Sequence, residues 1–181
     1  MANLHIPRWW IGASLFCLLS GSATAIGAEP DDELKSATVL SFVRYTEWLR
    51  GPASGPITIG ATGRPSMIRT LHRMLDGKTA NNRAILVIDV KTSAELSSCQ
   101  VLYVATRNQQ EILHALAGLG GLHTLTIGES SRFLELGGAV NLVFLDDHMS
   151  FEVSLPVLDR IGVSISPTLL RYGQLRARPP V

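Results

Sequence analysis

The sequence predicts an α/β fold: a mixed, mostly parallel sheet with helices on both faces and a C-terminal antiparallel hairpin. Two observations carry this. Short β-rich apolar runs alternate with segments of helical apolar spacing, so each crossover between strands includes a helix and its flanking strands run parallel. The last two runs, Ala139 to Leu145 and Ser150 to Ser154, are separated by four residues that include the polar turn Asp146-Asp147-His148, which predicts a hairpin. The 181 residues fit one domain plus a processing segment, and 46% hydrophobic with 17% charged residues suits a packed core.

The elements follow in order. Residues 1 to 25 have the three parts of a secretory signal: a polar start with His5 and Arg8, an apolar run from Trp9 to Leu19, and Ala23-Thr24-Ala25 as the small-residue cleavage site. That run is shorter than the about 20 residues a membrane span needs. Phe16 before Cys17 argues against a lipoprotein signal. Residues 26 to 175 then form the single domain, and 176 to 181, with Pro179-Pro180, form a frayed tail; the core contribution already fades from Gly173. The chain is therefore expected to work in the periplasm.

Glu33 to Leu49 reads as the first helix, with Leu34, Ala37, Leu40, Val43 and Trp48 at roughly helical spacing and Asp31 or Asp32 as its cap. Gly51-Pro52 ends it. Ile57 to Ala61 is a strand. The loop from Gly60 to Pro65 leads to a helix capped by Ser66, carrying Met67, Ile68, Leu71, Met74 and Leu75, and stopped by Gly77. Arg83 to Val90 is a strand, Glu95 to Ser98 a turn, Gln100 to Ala105 a strand, Gln109 to Ala117 a helix, and His123 to Gly128 a strand. Ser131 to Leu136 is read as a short helix before the hairpin, and Leu155 to Arg160 and Pro167 to Tyr172 as closing helices.

Composition and motifs exclude several chemistries. A formal net charge of +1 with dispersed Lys and Arg gives no basic stripe for nucleic acid. Once Cys17 leaves with the signal, Cys99 alone remains, so no intrachain disulfide forms; beside Val101-Leu102-Tyr103-Val104 it reads as a buried structural thiol, with intermolecular pairing as the alternative. His72, His114, His123 and His148 lack metal-binding spacing, so no metal or other cofactor is expected. There is no Gly-x-Ser-x-Gly elbow, and the adjacent Asp146 and Asp147 diverge, which makes them a poor acid/base pair. No catalytic residue is assigned.

Two candidate binding regions remain. The turn from Gly60 to Ser66 sits where a strand meets a helix, so Gly60, Gly63, Arg64 and Ser66 are candidate ligand residues, although the pattern is neither a dinucleotide fingerprint nor a Walker loop. The glycines also have a plain reading as turn formers. The second region is Phe42-Val43-Arg44-Tyr45-Thr46-Glu47-Trp48. On a helix Trp48 would neighbour both Arg44 and Tyr45, residue types favoured at protein interfaces, or the aromatics would simply anchor the core.

This segment, preceded by Leu34-Lys35-Ser36-Ala37, resembles the signature of the YfiR-like family of periplasmic proteins. Agreement continues in order through Ile57-Thr58-Ile59-Gly60, Gly77-Lys78, Cys99 to Val104, Leu125-Thr126-Ile127-Gly128, Gly138 to Leu142, Phe151-Glu152-Val153, and Gly162 to Ser166 with Leu169-Leu170. The resemblance implies a homodimeric, non-catalytic regulator that represses an inner-membrane diguanylate cyclase through its periplasmic sensor region. An outer-membrane lipoprotein relieves that repression, so that cyclic-di-GMP and biofilm formation are controlled. On this reading Arg44, Tyr45 and Trp48 are the partner-binding residues. The alternative is a periplasmic small-ligand-binding protein using the crevice at Gly60 to Ser66. Leu49 stands where the family usually has Pro, Ser154 where Asn is common, and Cys99 has no partner cysteine, so redox switching does not carry over.

Overall fold

The computed structural model describes residues 30–50, 54–145 and 148–176. The expected export signal, Asp146 and Asp147 of the expected turn and residues 177–181 of the expected tail lie outside the described residues; His148, the third residue of that expected turn, is strand.

Helix α1 (Pro30–Arg44) opens the domain. Its buried positions Asp32, Lys35, Ser36, Val39, Phe42 and Val43 repeat at the spacing of one helical face. Asp31, Asp32 and Glu33 occupy its first turn, where acids oppose the helix dipole. The helix stops at Arg44, not at Leu49 as expected. Thr46–Trp48 instead forms strand β1, antiparallel to β9 (Val163–Ile165). A β-branched and an aromatic residue in three positions favour that pairing over a further helical turn.

The main sheet contains β2 (Ile57–Gly63), β3 (Thr79–Ala80), β4 (Arg83–Asp89), β5 (Val101–Ala105), β6 (Leu125–Gly128), β7 (Val140–Leu145), β8 (His148–Ser154) and β10 (Gln174–Arg176). Their spatial order is β10-β8-β7-β6-β5-β2-β4-β3. Strands β4, β2, β5, β6 and β7 run parallel, and β7 and β8 form the antiparallel hairpin the sequence predicts. Helix α2 (Pro65–Leu75) carries the chain from β2 to β4, α3 (Ser93–Ser97) from β4 to β5, and α4 (Gln109–Ala117) from β5 to β6. Helices α5 (Leu155–Ile161) and α6 (Pro167–Leu170) close the domain. Among the described residues no helix is long and apolar enough to cross a membrane.

The pleat of β5 sorts the core into two layers. Val101, Tyr103 and Ala105 face α1 and α2, where Phe42, Met67, Leu71 and Leu75 pack against them in the larger cluster. Leu102 and Val104 face the other way, against Leu96 of α3, Ile112 of α4 and Phe133. Helices thus cover both faces, and β5, buried at all five positions, is the central strand.

Several local expectations are corrected. Strand β2 continues through Gly63, so Gly60 lies within a strand and not in a loop. Pro65 takes the first helical position of α2 after Arg64, and Ser66 is not its cap; the Ser66 hydroxyl is engaged elsewhere. The expected turn at Glu95 is helix α3, started by a capping box between Thr92 and Glu95. Ser131 to Leu136 is a run of turns without a helix. Residues 174–176, expected to have left the core, pair in parallel with β8.

Candidate functional site

The carboxyl ends of β2 and β6 deliver Arg64 and Glu129 to one place, and the first turns of α1 bring Asp32 and Lys35 to meet them. Arg64 bonds both carboxylate oxygens of Asp32 through Nη1 at 2.8 and 2.7 Å. It bonds Glu129 through Nη2 at 3.1 Å. Lys35 Nζ lies 2.8 Å from Glu129 Oε2, and the Tyr103 phenol donates to the same oxygen at 3.1 Å. The Ser66 hydroxyl donates to Asp32 and accepts from Arg64. Asp32 and Tyr103 are fully buried and Glu129 nearly so. Two cations and two carboxylates therefore neutralise one another where isolated charges would be prohibitively costly.

The titration of this cluster follows from its geometry. Burial pushes Glu129 upward, but hydrogen bonds and charge from Lys35 and Arg64 outweigh it and hold the carboxyl below its ordinary range. Arg64 is held above its already high value by Asp32 and Glu129 despite burial. Burial raises Tyr103 well above a normal phenol, and the adjacent Glu129 carboxylate adds to that. These are groups locked in one charge state. Their charges are satisfied by one another through short contacts within the cluster.

The expected ligand residues divide. Gly63 and Arg64 line a crevice of about 570 Å³ that Lys35, Arg107 and Glu129 also border. The Arg64 guanidinium is taken up by two carboxylates, so it is not a spare cation for an anion. Ser66 belongs to the charged cluster. Gly60 is buried within β2, and a Cβ there would meet Cys99 Sγ at 2.5 Å, so its smallness serves packing. A second cleft of about 590 Å³, which Gly63 also lines, lies between α3 and α4, with Leu96 and Leu102 as apolar lining and Lys91, Glu111 and His114 as polar lining. It sits where the chain order reverses between β2 and β5, the usual ligand position in open α/β sheets.

The aromatic segment also differs from its helical reading. Trp48 does not neighbour Arg44 and Tyr45 on a helix face. Arg44 is exposed at the end of α1, and Tyr45 is 45% exposed. Within β1 the alternation turns Thr46 inward and Glu47 outward; Trp48 is half-buried against the core and Leu49 is 71% exposed. Phe42 is wholly internal, with its ring edge-on to Phe151 at 4.9 Å. The core-anchor reading therefore describes Phe42, and in part Trp48, while Arg44, Tyr45 and Leu49 remain at the surface.

Cys99 is buried, and burial raises its pKa to about 11, as befits a structural thiol. His72 bonds Asp89 at 2.7 Å, and His123 bonds the Ile161 carbonyl at 2.8 Å. Among the described residues no group of His, Cys, Asp or Glu is arranged to hold a metal ion. Sequence reasoning missed Asp32, Lys35 and Glu129. The available signal was two charged residues on the apolar face of the first helix, a pattern that demands buried partners.

Two solved structures share the fold. One, a conserved domain protein from Vibrio cholerae O1 biovar eltor str. N16961, superposes with a TM-score of 0.53 at 12% identity, over 80% of this chain and 59% of that one. The other, an ABC domain in complex with L-Trp from Streptococcus pneumonia, has a TM-score of 0.50 at 11% identity, over 80% and 60%. The chain thus spans about three fifths of the length of these structures. At such identities the likeness concerns the fold alone. The family model described as YfiR/HmsC-like matches residues 32–174, from the first turn of α1 into β10. It takes in the charged cluster, the β1 segment and the main sheet as far as the first residue of β10, and on that match the chain belongs to the YfiR/HmsC-like family.

Proposed function

We propose that this protein is a periplasmic, non-catalytic regulator of cyclic-di-GMP signalling. It would bind the periplasmic part of an inner-membrane signalling protein and repress a diguanylate cyclase. The observation that carries the reading is the YfiR/HmsC-like family match over residues 32–174. The geometry is in keeping with it, because the charged side chains of the buried cluster are engaged with one another. Repression requires only that the protein bind the inactive state of its target more tightly than the active one. Arg44, Tyr45 and Trp48 are the proposed contact residues. Arg44, at the end of α1, and Tyr45, just before β1, are exposed, and Trp48 packs β1 against the core. An outer-membrane lipoprotein that sequesters the regulator, and a homodimeric state, belong to the same proposal. The test is deletion of the gene followed by measurement of cyclic-di-GMP. A rise that the wild-type gene reverses supports the proposal, and an unchanged level refutes it.

One observation favours a second reading, capture of a small ligand in the crevices around Gly63 and Arg64. The cleft of about 590 Å³ has both apolar and polar lining, as ligand sites do. A thermal-shift screen of the mature protein with nucleotides, phosphates and small organic acids tests it. Stabilisation that grows with ligand concentration supports ligand capture.

A further inference from the structure

We propose that the groove above the end of β6 receives an extended, acidic peptide segment of a partner protein, which adds as a short strand along β7. Strand β7 pairs with β6 only at Val140 and Asn141. Its remaining residues, Leu142–Leu145, pair with β8 on one side and have no described strand on the other. The cause is local. After Gly128 the chain is drawn off the sheet, because Glu129 turns into the cluster with Lys35 and Arg64, and the following turn closes from the Phe133 amide to the Ser130 carbonyl. Phe133 then fills the space beside Gly128 and Gly138.

The register shows which backbone groups face the gap. The Ser154 amide bonds the Ala139 carbonyl, so Ala139, Asn141 and Val143 direct their main chain toward β8. By the alternation of an antiparallel ladder, Phe144 points its N–H and C=O the other way, into the groove. An unpaired strand edge is a template for another chain, and extended peptides bind by joining one. The groove, about 510 Å³, has room for a few extended residues. Its lining selects their charge. Lys35 and Glu129 cancel, which leaves Arg107 and Arg132 as the cations beside an apolar wall of Leu142 and Phe144. Arg107 has no ion pair among the described residues, whereas Arg132 is held by Glu135 at 3.0 Å. Acidic side chains alternating with apolar ones match this lining.

The test uses the mature protein and a capped tetrapeptide alternating glutamate and valine, its lysine–valine counterpart, and the acidic peptide with N-methylated backbone amides. Binding is followed by titration calorimetry and by hydrogen exchange at the Phe144 amide. The acidic peptide is expected to bind and to slow exchange at Phe144. The lysine peptide and the N-methylated peptide are expected to bind at least about tenfold more weakly. Exposed Arg107→Glu should weaken the acidic peptide by a similar factor without changing the melting temperature. Phe144→Pro removes the amide that faces the groove and should weaken the acidic peptide at least about tenfold in the calorimetric titration. Equal binding of both charges, unchanged exchange at Phe144, or self-association of the free protein through this edge would overturn the proposal. The readout is peptide binding alone, so its failure leaves the signalling role separately testable.

Discussion

Lys35 and Glu129 meet at 2.8 Å, with only 9% and 6% of their side chains exposed, and this contact ties the first helix of the domain to the end of its shortest central strand. Neither charge has water enough to stand alone. Breaking a buried pair by removing one partner costs more than the pair itself contributes, because the remaining charge is stranded. Glu129→Gln leaves Lys35 in that position and removes one of the two carboxylates on Arg64. The expected loss is about 3 kcal/mol of unfolding free energy. A denaturant titration should show it as a lower midpoint at unchanged slope.

The same carboxylate sets an acid limit. Glu129 is held below its ordinary pKa in the folded protein, so between the two values the unfolded chain binds more protons. Its contribution is therefore complete above the unfolded value of about 4.3 and is lost as pH falls through the folded value. Wild type should lose stability more steeply than Glu129→Gln below about pH 4.3, and the two curves should run parallel at neutral pH. Melting curves from pH 3 to 7 check this.

The layered sheet and its hairpin were legible in the sequence because strands such as Val101–Ala105 announce themselves by apolar runs between turn residues. What was not legible was pairing at long range. Thr46–Trp48 looks helical beside Phe42 and Val43, and only the distant Val163–Ile165 makes it a strand. Gln174–Arg176 is short, with Leu175 its one apolar residue, and only the free edge of β8 gives it order. The charged cluster was hidden for the same reason. Asp32 and Lys35 are visible on the buried face of α1, but Arg64 and Glu129 reach them only when β2 and β6 are aligned.

Gly63 is a position where the backbone itself is constrained. Its φ is +100°, and a Cβ would lie 2.4 Å from the Ala105 carbonyl oxygen, a main-chain atom of the central strand. Neither the conformation nor the neighbour can yield cheaply. Gly63→Ala should cost about 2 kcal/mol or more and shift the adjoining Arg64. Equilibrium unfolding measures the cost.

Cys99 should behave as an inert thiol. With burial raising its pKa to about 11, its thiolate fraction at pH 8 is roughly a hundredfold below that of a free cysteine. Alkylation of the native mature protein at pH 8 should be at least about a hundredfold slower than after denaturation. Non-reducing electrophoresis should show no disulfide-linked dimer. Rapid native labelling would mean that Cys99 opens to solvent, which would restore intermolecular pairing as an option.

Strand β1 separates docking from folding, because its neighbouring residues face opposite ways. Tyr45 and Leu49 are exposed, whereas Thr46 is buried and Trp48 packs against the core. Tyr45→Ala truncates a half-exposed side chain that belongs to neither core cluster, so stability should stay within about 0.5 kcal/mol. If the outward face of this segment is the docking surface, the same change should abolish repression and raise cyclic-di-GMP to the level of the deletion strain. Trp48→Ala instead opens a cavity at the edge of the larger core and should cost about 3 kcal/mol, lowering both the melting temperature and the amount of protein in the cell. Measured together, the two variants separate the roles. A Tyr45→Ala protein that folds normally and still represses would move the docking surface away from β1, whatever the outcome for Trp48.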